Sequence, residues 1–135
     1  MKGCSVKRKQ QKVFKMKELK FLIVDDSPVM RDIIIRGELE GAGVEKKNIF
    51  GAENLSKVAS HCSQMIFIIT NSKFYDGLIK EVLPKSKIKN IPVVVYGEED
   101  KDSFVGLRGF VEKSLITHQL IQKIDEVILH LRSNK

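Results

Sequence analysis

Five short apolar runs, at Phe21–Val24, 48–52, 65–70, 91–96 and 109–111, alternate with segments of helical spacing, and this alternation constrains the fold more than any other feature. Strands joined through helices pair in parallel, because a parallel neighbour needs a long connection that packs on a sheet face. The strand runs are apolar almost throughout, which fits burial on both faces. The pattern therefore predicts an α/β, doubly wound parallel sheet of five strands. A chain of 135 residues is the size of a single domain.

The clearest helix is the last, where Leu120, Ile121, Ile124, Val127, Ile128 and Leu131 recur along one face. The first has a good start signal, since Ser27 can cap free amide groups and Pro28 suits the first helical position. Gly41 or Gly43 is expected to end it. Shorter helices are expected over 55–62 and 78–83, the second stopped by Pro84. Only residues 98–112 separate the fourth strand from Lys113, so a fourth helix between them is short, about two turns.

The net charge of +7 invites a nucleic-acid or membrane partner until its position is considered. Residues 1–20 hold eight basic side chains against the single Glu18, and residues 21–135 carry 16 basic and 16 acidic ones. The body is neutral, and nearly all of the positive field lies on a terminal tail. Residues 1–17 read as a basic extension and 18–135 as the domain. The extension is either an arm for anionic lipid or nucleic acid or, the reading preferred, a solvated segment that Val13, Phe14 or Leu19 can dock.

The apolar runs are too short to cross a bilayer, and no apolar stretch follows the basic N-terminus as in a secretory signal. Cys4 and Cys62 have no paired spacing and read as reduced thiols, so a cytoplasmic location is expected. His61, His118 and His130 lack metal-ligand spacing and read as surface residues. No glycine-rich phosphate loop follows the first strand, which leaves a nucleotide or flavin role without its cradle.

In a doubly wound sheet function gathers at the C-terminal ends of the strands, where strand order reverses. The first strand ends in Asp25 and Asp26. Two adjacent carboxylates repel each other unless a cation sits between them, and hard oxygen ligands suit magnesium. The wider string Phe-Leu-Ile-Val-Asp-Asp-Ser-Pro-Val-Met-Arg, residues 21–31, resembles the opening of a response-regulator receiver domain of the chemotaxis, CheY-like type. The resemblance continues with Asp76-Gly77, with Pro92-Val93-Val94-Val95, and with Gly109-Phe110-Val111-Glu112-Lys113, and it spans roughly residues 18–132. It implies a (βα)5 flavodoxin-like sheet of strand order 2-1-3-4-5.

In such domains the paired acids help to hold magnesium, an aspartate ending the third strand accepts phosphate from a histidine kinase, and a lysine ending the fifth contacts the phosphoryl group. Asp25, Asp26 and Lys113 match. The phosphoacceptor position, however, holds Asn71, and the loop over 72–75 looks shortened. A neutral amide is a poor nucleophile and a weaker metal ligand than a carboxylate. The small hydroxyl residue of the fourth strand, which follows the phosphoryl group in switching, aligns with Gly97, and Ser114 replaces the usual proline after the lysine. Phe110 stands at the switching aromatic's position, where plain core packing is the simpler role. Lys113 has a second reading, a structural salt bridge to Asp25 and Asp26.

The expected function is that of a stand-alone, non-enzymatic receiver module in two-component or chemotaxis-type signal transduction. It is not phosphorylated in the usual way and acts by binding a protein partner. The resemblance implies the face of the fourth helix, fifth strand and fifth helix as the contact surface. Magnesium binding at Asp25, Asp26 and Asn71 is expected to be weak at most, and no other cofactor is implied. Two alternatives stand beside this: a conventional phosphoacceptor that uses another residue such as Asp76, where an N-cap is the simpler role, and nucleic-acid or membrane binding through the tail. The concentration of charge in the tail makes one outcome testable at once. Deleting residues 1–15 is expected to change stability in chemical denaturation by no more than about 0.5 kcal/mol, whereas a large loss would place Val13 or Phe14 in the core.

Overall fold

The computed structural model describes residues 16–61, 66–86, 90–98, 104 and 106–133. Strands β1 (Phe21–Val24), β2 (Ile49–Ala52), β3 (Phe67–Asn71), β4 (Val93–Gly97) and β5 (Arg108–Glu112) form one sheet. Every neighbouring pair is parallel and the order is β2-β1-β3-β4-β5, the expected flavodoxin-like arrangement. Burial follows position in the sheet. All residues of β1 and β4 are buried, as are the first four of β3, while the edge strands β2 and β5 mix buried with accessible positions. The strand ends shift by a residue or two from the apolar runs, because the ladder rather than apolarity sets them. Asn71 and Gly97 join as partners of Tyr96 and Glu112, and Pro92, which has no N–H to give, stays outside.

Successive strand residues point to opposite faces, and each face has its own core. Phe21, Ile23, Phe67, Ile69, Val94 and Tyr96 meet the first helix through Ile35 and Leu39, and the last helix through Leu120 and Ile124. Leu22, Val24, Ile68, Val93 and Val95 pack on the other face with Val58 and Leu78. Met16 packs against the first of these cores and Leu19 is buried in it, so the packed body already includes the 3-10 turn Met16–Glu18. Residues 1–15, with Val13, Phe14 and Cys4, lie outside the described residues, and so do Cys62 and most of the segment expected to carry the fourth helix.

The first helix begins after Ser27, whose Oγ accepts a hydrogen bond from Met30 N at 3.3 Å. It is not regular throughout: Val29–Ile35 is a wide π-helical run that passes into α1, Arg36–Gly41. The run ends in three consecutive isoleucines, whose branched Cβ atoms crowd an ordinary turn. Gly43 rather than Gly41 turns the chain, at φ 101°, with its N–H on Glu40 O and that of Val44 on Leu39 O.

The helix expected over 55–62 is instead a pair of 3-10 turns, Leu55–Lys57 and Ala59–His61. The Ser60 hydroxyl competes there with helical bonding by donating to Lys57 O, while Ser56 Oγ donates to the side-chain Oδ1 of Asn54. The helical stretch expected over 78–83 starts earlier, at α2 (Tyr75–Gly77), continues through the π-helical run Leu78–Val82, and passes Pro84 in the 3-10 turn Leu83–Lys85. Pro84 lies in this closing turn, and the stretch ends one residue later, at Lys85.

Helix α3, Ile116–Ser133, buries Leu120, Ile124, Val127, Ile128 and Leu131 and leaves Leu129 59% exposed. No helix among the described residues is long and apolar enough to cross a membrane. Leu120→Ala is expected to cost about 2–5 kcal/mol in urea unfolding. Leu129→Ala should stay within about 0.5 kcal/mol, and equal losses would place α3 in the wrong rotation.

Candidate functional site

The strand order reverses between β1 and β3, so the crevice above their C-terminal ends is the position where an open parallel sheet binds ligands. Asp25 and Asp26 leave β1 into this crevice, and Asn71 ends β3 beside them. Their environments differ sharply. Asp25 is 1% exposed, whereas Asp26 is open to solvent. A buried carboxylate must have its lone pairs filled. Oδ1 of Asp25 accepts the Ser27 N–H at 2.8 Å, and Oδ2 accepts both the Tyr96 hydroxyl and the Asn71 Nδ2 amide, the latter at 3.4 Å. The Asp25 main chain is held too, its N–H on Ala52 O at 3.0 Å and its carbonyl taking Arg31 Nη1 at 2.8 Å.

Tyr96 reaches Asp25 from the end of β4, and its side chain is wholly buried. Burial, reinforced by the hydrogen bond to Asp25, pushes the phenol far above its ordinary range, so the hydroxyl keeps its proton and acts as a donor. Asn71 serves two neighbours at once. Its Nδ2 faces Asp25, and its Oδ1 accepts the Lys73 N–H at 3.0 Å as the cap of the 3-10 turn Ser72–Phe74. The residues expected to form a shortened loop are therefore this turn running straight into α2, and Asn71 rather than Asp76 supplies the cap. Asp76 is exposed in the first turn of α2.

Asp26 has a different partner from the one the sequence suggests. Lys73 Nζ lies 2.5 Å from Asp26 Oδ2, and this hydrogen bond holds the Asp26 carboxyl below the usual carboxylate range. Lys113, the lysine matched to this role, is exposed just past β5 and, among the described residues, has no ion pair with either acid. Where the second reading of Lys113 is a salt bridge to Asp25 and Asp26, Lys73 instead pairs with Asp26, and Asp25 takes uncharged donors. Lys113 shares a shallow cleft with Glu98, Glu112 and Ser114 at the ends of β4 and β5.

Magnesium fits this arrangement poorly. The carboxylate of Asp25 is filled by three donors, Asp26 is paired to an ammonium, and both ends of the Asn71 amide are in use. Among the described residues no group of three or more His, Cys, Asp or Glu side chains is placed to hold a metal ion.

Gly97 and Phe110, the positions that the resemblance matches to switch residues, also have definite surroundings. A Cβ at Gly97 would overlap the Ser72 hydroxyl and approach Phe110 Cε1 at 3.9 Å. A hydroxyl therefore stands beside position 97 in space, carried by the residue after Asn71. Phe110 is half-buried and stacks on Phe104 at 5.4 Å between centroids, with Phe104 in turn 5.0 Å from Tyr75. Phe110 thus packs at the margin of the second core. His118 and His130 are exposed, while His61 is half-buried against the Phe50 ring.

Sequence reasoning missed Lys73, Tyr96, Ser72 and the anchoring of Arg31. Tyr96 left a faint trace, a polar-tipped residue closing an otherwise apolar run. Lys73 left none, being one of 24 basic side chains. Tyr96→Phe is expected to cost about 1.5–3 kcal/mol in chemical denaturation, since a buried carboxylate loses a donor while the ring still fits. A change within error would mean that Asn71 and Ser27 satisfy Asp25 alone. No protein-family model matches this sequence and no curated protein matches it, and the site is defined by its sheet order and by the side chains gathered around Asp25.

Proposed function

We propose that the chain is a receiver-like signalling module that acts by binding a protein partner and does not use ordinary aspartyl phosphorylation. The fold supports this reading, as does the location of the paired acids at the reversal of strand order. The single observation that carries it is the state of Asn71. An amide stands where a nucleophile would have to be, its nitrogen turned to Asp25 and its oxygen to the Lys73 N–H. An amide oxygen so placed has no charged lone pair to offer phosphorus. Asp76 is no substitute, because it sits in solvent on α2 without a hydrogen bond to the acidic pair among the described residues.

The contact surface belongs to the face that includes β5 and α3. Among the described residues strand β5 pairs only with β4 and is an edge, and Leu115 and Leu129, 38% and 59% exposed, flank and occupy α3. The basic tail, on which the alternative of a nucleic-acid or membrane role rests, lies outside the described residues.

The test is exposure of the full chain to a small acyl-phosphate donor with magnesium, followed by mass spectrometry. The wild type is expected to take no label, and Asn71→Asp to take some. In the variant a carboxylate oxygen attacks phosphorus as the bond to the donor's acyl oxygen breaks, and the released carboxylate leaves. Uptake should be partial, because Lys73 and Tyr96 hold the crevice in another geometry, and misplacement near 1 Å costs about a hundredfold. Label on wild-type Asp76 would overturn the reading.

A further inference from the structure

Two carboxylates at a sheet edge create a demand for positive charge that something must meet. The three donors on the Asp25 carboxylate are a backbone N–H, a phenol and an amide, and none of them is charged. Arg31 is close but committed: Nη1 holds the Asp25 carbonyl, while Nε and Nη2 hold Asp32 at 3.1 and 2.9 Å. Lys113 pairs with neither acid. Among the described residues, the ammonium of Lys73 is the one cation in an ion pair with the acidic pair.

Its place is set by the site itself. The Lys73 N–H is bound to Asn71 Oδ1, the backbone is wound into the turn Ser72–Phe74, and Nζ lies 5.5 Å from the centre of the Phe74 ring. The same Asn71 that binds Asp25 therefore starts the turn that delivers a cation to Asp26, so one amide links both carboxylates to one resident charge.

We propose that Lys73 is a built-in counter-cation that occupies the crevice in place of a divalent ion, so that the acidic pair is held in one state without metal. The inference rests on the reading above only in taking magnesium-like ions as the ligand to be excluded. A divalent ion entering the crevice would meet the Lys73 ammonium beside Asp26. At such separations the repulsion of a double by a single charge lowers affinity by a factor on the order of ten or more, even in water.

The experiment is a titration of the full chain with manganese ion, a magnesium mimic that broadens nearby amide resonances, followed by NMR on wild type, Lys73→Ala and Lys73→Arg. The Lys73 side chain is 56% exposed, so neither substitution should disturb the fold, and the dispersion of the same spectra verifies this. Lys73→Ala is expected to gain saturable broadening centred on residues 25–27 and 71–73, with affinity at least about tenfold above wild type. Lys73→Arg, which keeps the charge, should behave as wild type, and adding Asp26→Asn to Lys73→Ala should abolish the gain. Equal affinity in wild type and Lys73→Ala, or no binding in either, would overturn the proposal. Phosphate label on the wild type would sink the signalling reading while leaving this titration intact, so the two failures are distinguishable.

Discussion

The need of one buried carboxylate for hydrogen-bond donors organises the functional end of this sheet. Among the described residues Asp25 is the only charged side chain in the buried class, and a carboxylate out of water is costly until its oxygens are filled. Its donors come from the start of the first helix, the end of β3 and the end of β4. Three separate connections are thereby registered against one atom group. At the crevice that an open parallel sheet offers to a ligand, the protein's own side chains engage both carboxylates, and Asn71 is common to the two sets of bonds.

Much of this fold was legible because its central strands are buried on both faces and so are written in apolar residues. Phe21–Val24 is the plainest case, with four apolar residues in sequence and four buried residues in the strand. The heptad-like recurrence from Leu120 to Leu131 is equally direct, since one helix face meets one core. The misses have local causes. The segment 55–62 has helical spacing, but Ser56 and Ser60 turn their hydroxyls to nearby oxygens and the chain settles into tighter turns. Pro84 reads as a stop, and the helical stretch outlasts it by one residue, in a closing 3-10 turn.

The candidate site divides in the same way. The paired acids and Asn71 were readable because their chemistry depends on strand ends, which the apolar runs locate. The partner of Asp26 was not, because linear order gives no hint that a lysine two residues beyond β3 is turned back toward β1. Lys113 carries the stronger sequence signal and the weaker geometry. Tyr96 belongs to an intermediate class: its ring is core, and only its hydroxyl takes part in the polar cluster.

The contact between Gly97 and Ser72 bears on how this chain can change over evolutionary time. Position 97 is empty because the Ser72 side chain fills the space that a Cβ would take. A mutation at 97 alone meets a clash with Ser72 Oγ and Cβ, whereas Ser72 is exposed, so its mutation to glycine opens onto solvent and clears that space. The two sites form an epistatic pair. A lineage that places a side chain at position 97 must first clear Ser72 from the turn after β3, so the two substitutions have a fixed order.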